Sequence, residues 1–149
     1  MSDHRREISL EPIGIIHTPY AENVPSQPDK GTRGEFRIEI FDKYEDSLEL
    51  LDTFSHVIVI FYLHRIEGYR PKAHPPMAKG LEVGTFASRS PHRPNPIGLS
   101  SVELISMDGN KLYISPIDAI DGTPVIDIKP YIRRLDCIQQ ANNGWSDDI

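Results

Sequence analysis

The chain reads as an all-β protein, a small single-domain β-barrel of about seven short strands with long proline-rich loops and little helix. Thirteen prolines in 149 residues restrict φ and remove backbone donors too often for many long helices. Short apolar runs alternate with a period of two or are rich in β-branched residues, and Gly, Pro, Asn and Asp bound them. No long helical pattern separates these runs, so an antiparallel or mixed barrel is expected in place of a doubly wound sheet.

Taken in order, residues 1–12 read as a flexible N-terminus, 13–134 as the barrel domain and 135–149 as a C-terminal tail expected to be partly disordered. Ile13-Gly-Ile-Ile-His17 is a first strand stopped by Thr18-Pro19. A loop with Pro19, Pro25, Pro28, Gly31 and Gly34 follows, too long for a plain hairpin. Phe36, Ile38 and Ile40 alternate with Arg37, Glu39 and Phe41 as a second strand. Tyr44, Leu48 and Leu51 suit a short helix. His56-Val-Ile-Val-Ile-Phe-Tyr-Leu-His64 is the most apolar stretch and predicts a central strand buried on both sides. Arg65 to Gly80 has no clean period and predicts a long loop, whereas Leu81 to Ala87 is extended. Pro91, Pro94 and Pro96 exclude regular structure from Arg89 to Gly98 and predict a rigid turn. Leu99 to Ile105, Lys111 to Ser115 and Thr123 to Ile128 are three further strands, the first two joined by a hairpin at Asp108-Gly109.

The length fits one domain able to bury a core without disulfides. A lone Cys137 cannot form an internal bridge, and no apolar run approaches a membrane span or a signal peptide, so a cytoplasmic protein is expected. The net charge of -6 argues against a uniformly basic surface, yet the charges are uneven. Glu35 to Asp52 holds seven acids against Arg37 and Lys43, a solvated acidic face. His64 to Arg93 holds six Lys and Arg against Glu67 and Glu82, with His64, His74 and His92 in addition, a segment able to hold an anion or simply a basic loop.

Dinucleotide and phosphate-loop glycine patterns are missing, which argues against a Rossmann-type site. The six histidines show no metal-ligand spacing and Cys137 has no second thiol, so no metal is expected. Gly98, in a proline-rich turn, points to positive φ or to close approach of another group. Three polar features stand out: Arg89 and Arg93 around Pro91, Asn95 between two prolines, and Asp118 with Asp121 before Gly122-Thr-Pro124. A rigid loop loses little entropy on binding, so guanidinium and amide groups mounted on it can be preorganised for a carboxylate, phosphate or nucleobase edge. The two aspartates could instead form an Asx turn on their own backbone, but the neighbouring polar strings favour a site.

Phe54-Ser-His56, Gly84-Thr-Phe-Ala-Ser-Arg-Ser90, Arg93-Pro-Asn-Pro-Ile-Gly-Leu99 and Asp121-Gly-Thr-Pro-Val-Ile-Asp-Ile-Lys-Pro-Tyr131 resemble, in order and spacing, the signatures of the TrmO family of tRNA methyltransferases. Ile13 to Tyr20, Val24 to Pro28 and Gly34-Glu35 extend the resemblance, which covers roughly Ile13 to Ile132. It implies a small β-barrel that binds S-adenosyl-L-methionine, works as a homodimer with ligand sites near the subunit interface, and methylates N6 of threonylcarbamoyl-modified adenosine 37 in tRNA. Positions resembling the cofactor contacts are Gln27, Pro28, His64, Arg65, Arg89, Leu99 and the turn Ser115, Pro116, Ile117, Asp118. Arg65 or Arg89 would pair with the methionyl carboxylate, and Asp118 would accept from the amine or a ribose hydroxyl.

A sulfonium already has a good leaving group, so such an enzyme aligns the nucleophile and disposes of one proton. Asn95 is expected to orient the adenine, and Asp121, Asp127, His64 or the carbonyl and amide around Asn95-Pro96 are the candidate general bases, unranked among themselves. Bacterial members often carry an additional C-terminal domain, so part of RNA recognition is expected to lie outside this chain. Competing expectations are a methyltransferase of another RNA or small molecule, and a sensor that binds S-adenosyl-L-methionine without turnover.

Overall fold

A computed structural model describes residues 6–24 and 33–148. Six strands close into an antiparallel barrel, in the spatial order β1 (Gly14–His17), β2 (Arg37–Ile40), β7 (Lys111–Ile114), β6 (Ile97–Asp108), β3 (His56–Tyr62) and β8 (Thr123–Pro130). A separate two-stranded sheet pairs β4 (Lys72–Ala73) with β5 (Val83–Gly84). Closure leaves no open edge on the main sheet and turns every second side chain into one core. Ile16, Ile38, Ile40, Val57, Val59, Leu112, Ile117 and Val125 are fully buried there, and removing such a side chain costs about 2–5 kcal/mol.

The all-β barrel expected from the sequence is present, with several differences in its parts. β3 is buried on one face only, because a barrel strand has an inside and an outside: Val57, Val59 and Phe61 point in, and Ile58, Ile60 and Tyr62 alternate with them. The segment read as a short helix is two 3-10 turns, Asp42–Leu48 and Leu51–Thr53, broken at Leu50 with φ of 68°. Leu81 to Ala87 is extended only at β5, since Thr85–Ala87 curls into a 3-10 turn. The loop after β3 contains β4. The proline turn ends at Pro96, because Ile97 and Gly98 already pair with Tyr62 and Phe61. In the tail, Arg133–Asp136 is one helical turn (α1) and Gly144–Asp148 a 3-10 turn.

β6 is twelve residues long and serves two neighbours. Its first half pairs with β3 and its second with β7, and a register shift between Leu104 and Ser106 bends it from one to the other. Gly109, at φ of 60°, and Asn110 form the two-residue hairpin turn.

Antiparallel pairing sorts the connections by end. The links β1–β2 (18–36), β3–β6 (63–96) and β7–β8 (115–122) gather at one end of the barrel, the end at which β3 finishes and β6 starts. The link β2–β3 (41–55), with five acids against Lys43, and the Gly109 hairpin lie at the other. Among the described residues no helix is long and apolar enough to cross a membrane.

Candidate active site

Of the site residues expected from the sequence, those that the structure describes fall on the links at the first end or on the adjoining start of β6, except Asp127, which lies within β8. Gln27 and Pro28 lie on the first link, outside the described residues. The β3 ladder continues past Tyr62, where the Leu63 amide donates to the Pro96 carbonyl at 2.8 Å. This places His64 and Arg65 beside Asn95-Pro96. Arg65 reaches the first link, its Nη1 donating to the Ala21 carbonyl at 3.3 Å.

The two arginines around Pro91 have different situations. Arg93 is half-buried, and its Nη1 donates to the carbonyls of Thr85, Ser88 and Ser90 at 3.1, 2.8 and 3.2 Å. Its guanidinium therefore holds the turn together. Arg89 is exposed and, among the described residues, has no hydrogen bond or ion pair. The turn is fixed further by the Arg70 amide donating to the His92 carbonyl at 3.1 Å and by Ser88 Oγ donating to the Thr85 carbonyl at 2.9 Å. Asn95 is exposed on this frame, its carbonyl accepting from the Ile97 amide at 2.7 Å.

On the β7–β8 link, Ser115 continues the ladder: its amide donates to the Glu103 carbonyl at 3.0 Å and its Oγ accepts from the Glu103 amide at 2.9 Å. Pro116 is half-buried and Ile117, 1% exposed, belongs to the core, so the Ile117 side chain is not open to a ligand. Asp118 is exposed and accepts from Ser100 Oγ at 3.1 Å. Ser100 neighbours Leu99, which is 55% exposed on the outer face. Consecutive strand residues face opposite sides, so Ser100 and the Asp118 that it meets share the face of Val59, whereas the Leu99 side chain stands beside Ile60 on the other. Ser100 was not singled out from the sequence, since its contact follows from strand register alone.

Asp121 ties two links together. Its Oδ1 accepts from the Thr18 amide at 3.0 Å, its own amide donates to the Tyr20 carbonyl at 2.8 Å, and His17 Nδ1 lies 3.6 Å from Oδ1. Thr18 Oγ1 in turn donates to the Ala119 carbonyl at 2.7 Å. The Asp121 side chain is still half-exposed, and its second oxygen has no partner among the described residues. Asp127 accepts from the Ile128 amide with one oxygen and pairs with Lys129 at 3.0 Å with the other. Of the alternative bases, Asp127 is therefore the most fully engaged. Among the described residues no group of three or more His, Cys, Asp and Glu is arranged to hold a metal ion.

The family whose profile matches this chain is the tRNA-methyltransferase O N-terminal domain, over residues 15–137. A probable S-adenosyl-L-methionine-binding protein of Archaeoglobus fulgidus is 41% identical over 95% of this chain and 38% of its own length. The tRNA (adenine(37)-N6)-methyltransferase of Mus musculus is 41% identical over 89% of this chain and 32% of its own. Among solved structures, TrmO from Pseudomonas aeruginosa superposes with a TM-score of 0.76 at 34% identity, covering 93% of this chain and 62% of that one. The chain thus spans about a third of the two relatives' lengths and under two thirds of the solved one.

Proposed function

The chain belongs to the TrmO family, and from that premise we propose that it is an S-adenosyl-L-methionine-dependent methyltransferase acting on N6 of threonylcarbamoyl-modified adenosine 37 in tRNA. The observation that carries this is the gathering of Arg65, Arg89, Asn95, Leu99 and Asp118 at one barrel end by two separate links and the start of β6.

The residues there fit the cofactor's chemistry. Arg89, with no partner among the described residues, has its donors available for the methionyl carboxylate, and Arg65 adds a second guanidinium. Asp118 accepts from Ser100 with one oxygen, its other has no partner among the described residues, and it suits an ammonium or ribose hydroxyl. Leu99 offers apolar surface. His64 adjoins this group, with Ser115, Pro116 and Ile117 contributing backbone rather than side chains, and Gln27 and Pro28 are assigned to the cofactor by the family resemblance alone.

Bound there, the cofactor would supply an electrophilic methyl group whose leaving group, the neutral thioether of S-adenosylhomocysteine, needs no activation. The chain then has to hold the adenine in line, exclude water and accept one proton. We assign the adenine edge to the Asn95 amide, held between two prolines. As the N6–CH3 bond formed and the S–CH3 bond broke to release S-adenosylhomocysteine, the N6 proton would pass to the Asp121 oxygen that Thr18 does not occupy.

The outer face of β3 and β6 supports a homodimer: register places Tyr62 beside Ile97 and Ile60 beside Leu99, three of them exposed. Leu99 would then stand at both the cofactor and the subunit boundary. Phosphate contacts fall to the basic β3–β6 link. Cys137, exposed and unpaired, suits a reducing, cytoplasmic setting.

A second reading, binding of the same cofactor without turnover, is favoured by the name of the Archaeoglobus relative. Calorimetry with S-adenosylhomocysteine and single-turnover kinetics on two variants separate them. Arg89→Ala is expected to weaken cofactor binding roughly 10- to 100-fold, and Asn95→Ala to lower kcat while leaving that affinity unchanged. Unchanged affinity in the first variant removes Arg89 from the site; absence of any turnover in the parent protein favours the second reading.

A further inference from the structure

We propose that Phe86, with Tyr69 on the neighbouring segment, forms a rigid aromatic platform on which an unpaired RNA base stacks. The proposal rests on the tRNA reading above and names a contact for the RNA itself, apart from the cofactor. Phe86 sits in the Thr85–Ala87 turn with 77% of its surface exposed. An isolated exposed apolar residue is ordinary, but this one is mounted firmly and has company.

The mounting is unusually complete for a loop. Thr85, on one side of Phe86, is buried; its amide donates to the Pro71 carbonyl at 3.0 Å and its hydroxyl to the Arg70 carbonyl. On the other side, the Ala87 carbonyl accepts from the Trp145 indole Nε1 at 2.7 Å, which latches the C-terminal segment onto the turn. Arg93, pinned by three carbonyls, places its guanidinium 5.8 Å from the centre of the Phe86 ring. A ring fixed in this way has little entropy left to lose when a flat partner covers it.

The company is aromatic and cationic. Tyr69, 52% exposed, precedes Arg70, whose carbonyl the Thr85 hydroxyl holds, so the two aromatic residues occupy adjoining segments. Exposed Arg70, Lys72 and Arg89 lie on the same excursion. Exposed rings interleaved with cations are what single-stranded nucleic acid uses, bases stacking while phosphates pair with charge. An acidic or purely apolar protein partner would account for only half of this surface. In a chain of net charge -6, the local excess of cations favours the polyanion.

The test is direct binding of an anticodon stem-loop RNA carrying 2-aminopurine in its loop, followed by anisotropy and by fluorescence quenching at one fixed salt concentration. Phe86→Ala is expected to raise Kd about tenfold, the worth of one stacked base, and to abolish the quenching. Phe86→Trp should retain both, Tyr69→Ala should lose part of the affinity, and S-adenosylhomocysteine affinity should be unchanged throughout. Equal RNA affinity in Phe86→Ala and the parent would overturn the platform. So would a fall in cofactor affinity or a change of oligomeric state in Phe86→Ala, which would assign the ring to the cofactor or to a second copy. A parent protein that binds the RNA with quenching but transfers no methyl group would sink the enzyme reading and leave the platform standing; one that binds no RNA would sink both.

Discussion

Gly98 faces Phe61 across the β3–β6 ladder, and a Cβ there would meet the ring carbon Cε2 at 2.5 Å. Phe61 is a core residue and has nowhere to go. Gly98→Ala should destabilise the protein by about 1–3 kcal/mol, read as a lower urea midpoint with an unchanged slope. The sequence marks this glycine but leaves positive φ and close approach both open; the choice depends on which residue stands opposite. The same holds for the arginines four apart, one a structural clamp and one without a partner among the described residues, since only the carbonyls around Arg93 distinguish them. At the far end, Glu11 is held below the usual carboxylate range by its hydrogen bond from Lys43 and then that from Tyr44. Any stability from its depressed pKa is present near neutral pH and is lost as pH falls through the acidic range. Both partners are fully exposed, so Lys43→Ala should leave the melting temperature at pH 7 unchanged within error.

Among the elements, the barrel strands were legible because alternation and β-branched composition report directly on a one-sided sheet. Short paired segments were not. β4 and β5 are two residues each and have no period to detect, and the 3-10 turns of residues 42–53 share the apolar spacing of a short α-helix. The burial of β3 was overread because an apolar outer face looks, in one dimension, like a second core. The 85–93 turn owes its shape to side chains far away in sequence. Arg93→Ala removes three hydrogen bonds from a charged donor and should cost about 2–4 kcal/mol. Trp145→Phe keeps an aromatic side chain, though a smaller one, and deletes the donor to Ala87, so hydrogen exchange should quicken across 85–89 while β3 and β8 stay protected.

Viewed whole, the molecule separates its charges along the barrel axis, with acids on the β2–β3 link and bases on the β3–β6 link at the opposite end. Composition alone showed two oppositely charged segments; only antiparallel topology puts them at opposite ends. RNA affinity should therefore fall steeply with salt. Arg70→Glu with Lys72→Glu should weaken it at least tenfold, whereas Glu45→Lys with Asp46→Lys should change it less than twofold, both by filter binding at fixed ionic strength. The meeting of the links that carry the candidate site residues is not written in any local pattern, because segments separated by up to a hundred residues come to one end only when the barrel closes. The most direct test of the central claim is methyl transfer from labelled S-adenosyl-L-methionine to tRNA purified with and without the threonylcarbamoyl group, read by nucleoside mass spectrometry. The account predicts label on N6 of the modified adenosine 37 alone; cofactor binding with no transfer to either tRNA would contradict it.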